Sequence, residues 1–440
     1  MGMNRKILDL AGPNIISNIS VPLLGMVDMA LMGHLESDKY IGAIALGSLI
    51  FNFIYWGLGF LRMGTSGFTA QAWGRRDLSE TILVFSRAFL IAMLVGILLL
   101  LLRSPIEALS FSLLKGEAEV ESLAASYYRI RLWAAPAALG QFALLGFFLG
   151  MQNARLPMVI LVSTNVINLA CNYYFVMHAG MGADGVASGT VIAQYSGFLI
   201  ALYFMRRYFS RLFKYWSMKA TLRWQEMKKF LGVNRDIFIR TMCLVAVFTI
   251  FTARSASSDT RTEGETILAV NSLLMQFFMF FSFLIDGFAH AAEALTGKLI
   301  GAQDEKSLRQ SIRLLFIWGA GISLLFTLIY LLAGPCIFRA LTNNPELIVN
   351  ARPFFPWVIA VPLVSFAAFI WDGIFIGATA GREMRLAMIV STLGIFFPIY
   401  FLAIKFMGNH GLWLAFILFM AARGITMQIY SRKAVFSRIS

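Results

Sequence analysis

Acidic residues inside apolar segments are the features of this sequence with the clearest chemical potential. A charged side chain at the centre of a bilayer costs about 2.5–3.5 kcal/mol on insertion scales, so each such residue is a candidate functional site. The first is Asp28, six residues after Pro22 in a long apolar segment. It is the candidate proton-coupling residue, because protonation of an embedded carboxylate removes the charge. The alternative is a structural carboxylate that is protonated or satisfied by an Asn amide.

A second group of titratable residues lies in the other half of the chain. Asp286, His290 and Glu293 share one apolar segment, and Asp372 lies in a later one. Steps of four and seven residues turn an α-helix by about 400° and about 700°, so the first three side chains point the same way. Carboxylates on facing helices could bind Na⁺, with Asp286, Glu293 and Asp372 as ligands. The alternatives are a buried hydrogen-bonded network and a proton shared between Asp and His. Zinc is not expected, since the segment lacks a His-Glu-x-x-His pattern.

Amide and hydroxyl side chains cluster in the apolar segments of the first half. Within each segment they recur every three or four residues, which places them on one helix face. They could hydrogen-bond between helices as structural contacts, or they could line a cavity around Asp28. The predicted set is Asn14, Asn18, Asn165, Asn168, Asn172, Thr190 and Gln194.

Composition indicates the elements that must position these residues. Of the 440 residues, 59% are hydrophobic and 14% charged, against about 45–50% and about 25% in soluble domains. The apolar runs are continuous rather than alternating, which favours helices over a β-barrel. We therefore predict an all-α integral membrane protein with twelve transmembrane helices in two pseudo-symmetric six-helix lobes. The predicted spans are 12–33, 41–71, 82–102, 122–151, 156–178, 184–206, 229–254, 266–298, 311–334, 350–378, 384–405 and 408–431.

The basic residues predict an orientation. The net charge is +14, and the Lys and Arg residues of the loops concentrate on the side that carries both termini. By the positive-inside rule, both termini of this multi-pass protein lie in the cytoplasm, and the inner or plasma membrane is its location. The same distribution argues against nucleic-acid binding. We expect a monomer in the lipid bilayer.

Two halves of the chain match at a nearly constant offset. Gly146 and Arg155 correspond to Gly373 and Arg382, each 227 residues later. Further pairs follow in the same order: Gly74 with Gly301, Asp77 with Asp304, Gly182 with Gly408, Gly185 with Gly411, and Ser48 with Ser272. An even number of spans per half makes the repeats parallel, and such two-lobed proteins commonly alternate access around a site between lobes.

The repeat predicts three parts of the chain. They are an N-terminal lobe at 1–206, a basic cytoplasmic linker at 207–228 and a C-terminal lobe at 229–440. The linker could hold a basic amphipathic helix on the membrane surface, with Trp216 and Trp224 at headgroup level.

Motifs for covalent chemistry or nucleotide hydrolysis are missing from the sequence. It contains no Gly-x-x-x-x-Gly-Lys-Ser/Thr loop, so ATP hydrolysis is not expected. Gly64-Thr65-Ser66-Gly67 is not a Gly-x-Ser-x-Gly elbow. We therefore predict a transporter without a cofactor, driven by an ion gradient, and not an enzyme.

The same residues carry a family resemblance that covers essentially the whole chain. The sequence resembles the multidrug and toxic compound extrusion (MATE) family, in the prokaryotic branch named for DNA-damage-inducible protein F. The segments that carry the resemblance are Leu23–Asp28 with Gly33–Leu35, Leu61–Gly67 with Gln71 and Ala72, Asp286–Ala289 with Ala292–Ala294, and Asp372–Thr379.

The resemblance implies a two-lobed antiporter that expels organic cations or amphipathic drugs in exchange for H⁺, or alternatively Na⁺. Asp28 matches the family's acid in the first span, and Asn168 and Thr190 match members of the same cavity. Asn172 departs from the family, since many relatives carry an Asp there. The coupling site is then Asp28 alone or the acids of the second lobe.

Two other functions remain open at this stage. A flippase or exporter of a lipid-linked or other amphipathic metabolite would favour a cavity rich in Arg and Lys, whereas the deep residues noted above are mainly acids and amides. An intramembrane enzyme would need a nucleophile–base pair or an Asp-rich metal motif, and neither is found in the sequence.

Overall fold

The chain folds into helices that form two compact units. In a computed structural model, residues 2–32, 38–114, 117–256 and 261–439 are described, with the backbone alone for 23–32, 38 and 261–265. One unit comprises Ile16–Leu231, and the other comprises Met1–Ile15 with Gly232–Ser440. We call them the N-terminal unit and the C-terminal unit.

The helices up to the linker are joined by short turns. A 3₁₀ turn at Leu132–Ala134 precedes the seventh helix, and a π-helical turn at Tyr174–His178 follows the eighth. The helices are α1 (Met3–Met32), α2 (Asp38–Leu58), α3 (Phe60–Gly74), α4 (Leu78–Leu101), α5 (Arg103–Leu113), α6 (Ala118–Arg131), α7 (Ala135–Gly150), α8 (Arg155–Tyr173), α9 (Gly182–Phe209) and α10 (Met218–Thr221).

The remaining helices include the longest of the chain. A π-helical segment at Val390–Phe396 separates the sixteenth helix from the seventeenth, and 3₁₀ turns lie at Arg352–Phe354 and Phe436–Arg438. The helices are α11 (Trp224–Ala256), α12 (Arg261–Gly301), α13 (Glu305–Leu341), α14 (Pro345–Ala351), α15 (Phe355–Gly377), α16 (Gly381–Ile389), α17 (Phe397–Met407) and α18 (Asn409–Ala434).

The all-helical membrane fold predicted from the sequence is confirmed. Within the described residues, eleven helical stretches are long and apolar enough to cross a membrane. They correspond to the second to twelfth predicted spans, and several extend beyond the predicted ends. The first predicted span falls on α1, which has 30 residues.

The linker differs from the amphipathic helix that its composition suggested. After α9 the chain forms a 3₁₀ turn at Ser210–Tyr215 and then the four-residue helix α10. The side chain of Ser217 caps α10 by accepting a hydrogen bond from the Ala220 N–H. Trp216 and Trp224, predicted at headgroup level, are both exposed.

The repeat seen in the sequence recurs in the way helices begin. The Asp77 carboxylate accepts from the Glu80 N–H at 2.9 Å, and Asp304 accepts from the Ser307 N–H at 3.0 Å. Both are N-caps that satisfy an otherwise unpaired helix donor. Hydrogen bonds from Ser307 hold the pKa of Asp304 below its ordinary value. The residue before each cap has a left-handed backbone, as do Gln152 and Thr379, which are also 227 residues apart.

Equivalent glycines bring two pairs of helices into close contact. A Cβ at Gly146 in α7 would collide with the Arg62 carbonyl of α3, and one at Gly373 in α15 would collide with the Ala289 carbonyl of α12. A second glycine, one turn later in each helix, is equally restricted. These are small-xxx-small contacts, in which the lack of a side chain lets backbones approach.

The first residues of the chain pack within the C-terminal unit, although the sequence assigned all of 1–206 to an N-terminal lobe. Gly287 of α12 lies against Ile15 and the Ala11 carbonyl. The Trp318 indole N–H donates to the Asn4 side-chain oxygen at 3.2 Å. The physical reason is that α1 continues without a break across residues 15 and 16. The functional division at 206 and 229 stays a prediction.

Replacement of Gly373 by Ala tests the close helix contact. We expect Gly373→Ala to destabilise the purified protein by about 1–3 kcal/mol, because overpacking a tight contact forces backbone shifts. The measurement is thermal or denaturant unfolding in detergent. The matched control is Gly321→Ala, because a Cβ there meets nothing within 4 Å. Equal stability of the two variants would contradict the packing argument.

Candidate functional site

Amide side chains of α8 connect it to two other helices of the N-terminal unit. The Asn165 amide donates to the Ser20 hydroxyl of α1 at 2.8 Å. The Asn172 amide donates to the Asn168 oxygen, and the Asn168 amide donates to the Thr190 hydroxyl of α9, both at 3.2 Å. The predicted common face therefore exists, and it is used for hydrogen bonds between helices. Its role as a cavity lining stays a prediction.

Three further residues of this predicted set are less closely connected. Gln194 lies one turn after Thr190 and is half-buried. Asn18 is half-buried on α1. Asn14 lies in the C-terminal unit, where its amide donates to the Leu10 carbonyl of its own helix at 2.8 Å.

Asp28 lies within α1, among the residues whose side chains are not described. Its helix is fixed by the contact of Ser20 with Asn165, about two turns earlier in the chain. The predicted role of Asp28 in proton coupling stays a prediction.

The C-terminal unit contains a buried ion cluster centred on Asp372 of α15. Its carboxylate Oδ2 accepts from Arg423 of α18 at 2.6 Å and also from Arg240 of α11. The three residues are only 6%, 2% and 7% exposed, in the order Asp372, Arg423, Arg240. Two guanidinium groups and one carboxylate carry a net charge of +1. The fourth charge near the cluster is Asp286 of α12, which attracts Arg423 electrostatically.

Aromatic rings complete the surroundings of Arg423. Its guanidinium lies 5.6 Å from the Phe419 ring centroid and 5.9 Å from that of Phe369. Cation–π contacts of this kind gain strength when the cation is desolvated. Arg423 therefore has a fixed position, held by one carboxylate and two aromatic faces.

The acids predicted as a sodium site are placed differently from one another. Asp286 accepts a long hydrogen bond from Ser282 at 3.5 Å, His290 is half-buried, and Glu293 is fully buried where α12 meets Gly377 of α15. Across the part of the chain that is described, no three His, Cys, Asp or Glu residues are grouped so that they could hold a metal ion. Asp372 is held by arginines instead, so the sequence-based ligand set is not assembled as predicted.

Arg240 and Arg423 are the site residues that the sequence analysis missed. Both lie inside predicted spans, at 229–254 and 408–431. The cost that marks an embedded Asp as a candidate site applies equally to an embedded Arg. Applying it to both signs of charge would have identified them.

A second ion pair fixes α11 one turn before Arg240. The buried Asp236 carboxylate accepts from Arg385 of α16 at 2.7 Å. Arg235 reaches the same oxygen at 3.4 Å from an exposed position. Gly381 allows this approach, since a Cβ there would lie 3.1 Å from the Asp236 Cβ. This pair orients α11 and with it Arg240.

A duplicated frame of membrane-spanning helices with charges buried between them defines a secondary transporter. The MatE family model matches residues 13–174 and 238–402. The chain belongs to this family, the multidrug and toxin extrusion (MATE) transporters, and it is therefore a multi-pass membrane transporter of small molecules and not an enzyme.

Relatives extend over nearly the whole chain. DNA damage-inducible protein F of Escherichia coli K12 is 36% identical over 98% of this chain and 92% of its own length. Multidrug and toxin extrusion protein 1 of Homo sapiens is 22% identical over 94% of this chain and 72% of its own length. Both similarities agree with the family assignment.

Solved structures show the same fold. A MOP superfamily transporter from Pyrococcus furiosus, described as having a binding pocket of reverse polarity, has a TM-score of 0.89 at 18% identity and covers 100% of this chain and 97% of its own. A MATE transporter crystallised in complex with MaL6 has a TM-score of 0.88, also at 18% identity, with the same coverage. The MATE-like fold expected from the resemblance is confirmed.

The ion cluster predicts that Asp372 is important for stability. Asp372→Asn leaves two buried guanidinium groups without their carboxylate, so we expect a loss of about 3–5 kcal/mol. Unfolding of the purified protein in detergent measures it. The control is Asp9→Asn, because Asp9 and Arg5 form an exposed pair at 4.0 Å, and such pairs contribute about 0–1 kcal/mol. If the two variants unfold alike, Asp372 does not hold the cluster.

Proposed function

We propose that the chain is an antiporter that exports cationic or amphipathic small molecules in exchange for protons, with Na⁺ as the alternative coupling ion. The observation that carries the proposal is the hydrogen-bonded chain from Ser20 through α8 to α9. It ties the helix that contains Asp28 to an amide face inside the N-terminal unit.

Amides suit such a chain because each can both donate and accept hydrogen bonds. A change in the charge of Asp28 can therefore be followed by a new set of hydrogen bonds, without a buried group losing its partner. In the proposed cycle, protonation of Asp28 from outside bends or closes α1 at Pro22 and expels the cargo. Deprotonation on the cytoplasmic side opens the site again.

The arrangement of the C-terminal unit supports protons over sodium as the coupling ion. Asp372 already faces Arg240 and Arg423, and these cations repel a metal ion that approaches the same carboxylate. The proposal therefore places coupling at Asp28.

The location and orientation are also proposals. The side that carries both termini and the linker is rich in Lys and Arg, which supports cytoplasmic termini and insertion in the inner or plasma membrane. We propose that the chain acts as a monomer, since each unit contains its own polar cluster.

Vesicle transport with Asp28→Asn tests the proposal. The purified protein is reconstituted, and uptake of a lipophilic quaternary cation is measured under a proton gradient or a sodium gradient imposed separately. We expect Asp28→Asn to reduce proton-driven transport at least tenfold, because Asn cannot exchange a proton. Asp77→Asn is the matched control, since Asp77 caps α4 outside the spans.

Two outcomes would contradict the proposal. Undiminished proton-driven transport by Asp28→Asn rules out Asp28 as the coupling acid. Transport that follows only the sodium gradient, and that Glu293→Gln abolishes, assigns coupling to the C-terminal unit.

A second candidate function is export of an amphiphile with an anionic headgroup. The buried Arg240 and Arg423 favour it, because two guanidinium groups with one shared carboxylate retain a surplus positive charge. Guanidinium groups recognise carboxylate and phosphate in fixed geometry.

Arg240→Gln separates the two candidate functions. The variant keeps the Asp372–Arg423 pair, so the fold is retained while the surplus charge is removed. If the cargo is anionic, we expect about a tenfold loss in transport of an acyl phosphate ester and no loss for a quaternary cation. Arg235→Gln is the control from the same helix, because Arg235 is exposed. Loss of cation transport alone, or no change for either probe, would exclude the anionic candidate.

A further inference from the structure

A groove on the lipid-exposed side of the N-terminal unit has the shape and polarity of a phospholipid site. Its volume is about 1000 Å³. One wall is a single face of α4, and the other is the cytoplasmic end of α9; the 3₁₀ turn at Ser210–Tyr215 and α10 close one end. The groove is separate from the amide face of α8 described above.

The wall formed by α4 is apolar and accessible. Leu94 is 60% exposed and Ile97 is 51% exposed. Phe89 lies deeper in the groove and stacks on Phe198 with ring centroids 6.1 Å apart. Exposed apolar side chains on a membrane-spanning helix contact acyl chains, so this wall suits the hydrocarbon part of a lipid.

The length of the groove matches one leaflet. Its α4 wall extends from Phe85 to Ile97, which is about 18 Å at a rise of about 1.5 Å per residue. Half of a hydrocarbon core of about 30 Å is about 15 Å. An acyl chain can therefore lie along the whole wall and still leave its headgroup at the membrane surface.

The closed end of the groove is polar and basic. Arg206 and Ser210 line it, and both are exposed. Trp216 lies beside them with 47% of its surface exposed, and Trp is enriched at headgroup level. The linker around this end carries many basic residues: Arg206, Arg207, Arg211, Lys214, Lys219 and Arg223. Clusters of Lys and Arg directly cytoplasmic of a membrane helix recognise anionic lipids.

We infer that this groove binds an anionic phospholipid of the cytoplasmic leaflet. One acyl chain lies along α4, and the phosphate lies at Arg206 below Trp216. The linker is then held between α9 and the lipid headgroup, which explains why short helical turns, rather than a continuous surface helix, suffice there. The inference does not depend on which ion or cargo is transported.

Native mass spectrometry of the full chain tests the site. The protein is released from detergent with equal amounts of phosphatidylglycerol and phosphatidylethanolamine of identical acyl chains. We expect the wild type to retain the anionic lipid about fivefold more than the zwitterionic one, the effect of about one basic residue at a membrane surface. Arg206→Gln should abolish this preference, whereas Arg207→Gln, at the neighbouring position that does not line the groove, should keep it.

A groove-filling substitution tests the acyl-chain part. Leu94→Trp, and Ile97→Trp as a second variant, should reduce retention of both lipids at least tenfold. Leu199→Trp is the control, because Leu199 is 62% exposed and does not line the groove.

The alternatives give different results. If inorganic phosphate alone raises the melting temperature as much as the anionic lipid does, the ligand is a free anion and the lipid assignment is wrong. If Leu94→Trp retains lipid like the wild type, the groove is not the lipid site. Equal retention of the two lipids by the wild type overturns the role of Arg206.

Discussion

Close approach of helix backbones at paired glycines is the constraint on which the rest of the structure depends. In α7 and in α15, two glycines four residues apart face the backbone of α3 and of α12. No side chain can fill these contacts, so the register of each helix pair is fixed within one turn. Asp372 precedes Gly373, and Glu293 supplies the carbonyl that faces Gly377. The glycine contact therefore determines where these acids lie.

Burial of charge is the second constraint, and it acts through partners that are distant in sequence. Asp372 is 132 residues from Arg240 and 51 from Arg423. None of the three would be stable at this depth alone, since the desolvation of each ion costs several kcal/mol. Together they link α11, α15 and α18. The cluster thus contributes specificity of packing, whatever ion or cargo the protein handles.

The sequence predicted those properties that depend on local pattern or on internal repetition. Continuous apolar runs gave the spans, and the 227-residue offset anticipated matching caps at Asp77 and Asp304. Spacing along one helix predicted the shared face of Asn168 and Asn172. The partners of Asp372 were not predicted, because they lie on other helices and their positions depend on tertiary packing. The linker was predicted wrongly as to its helix, since its basic composition does not define how it folds.

Duplication explains the frame, and departures from it explain the polar sites. Asp372 occupies the position that Leu145 holds in the first repeat, and Glu293 corresponds to Ser66, each 227 residues apart. Leu145 and Ser66 are buried as well, so the surrounding packing tolerates either a neutral or a charged side chain. A charge introduced at such a position needs a partner on a neighbouring helix, and Arg423 stands where the first repeat has Ser196. The acid and its arginine are thus paired differences between the repeats, which is the pattern expected when one half of a duplicated transporter acquires a polar site of its own.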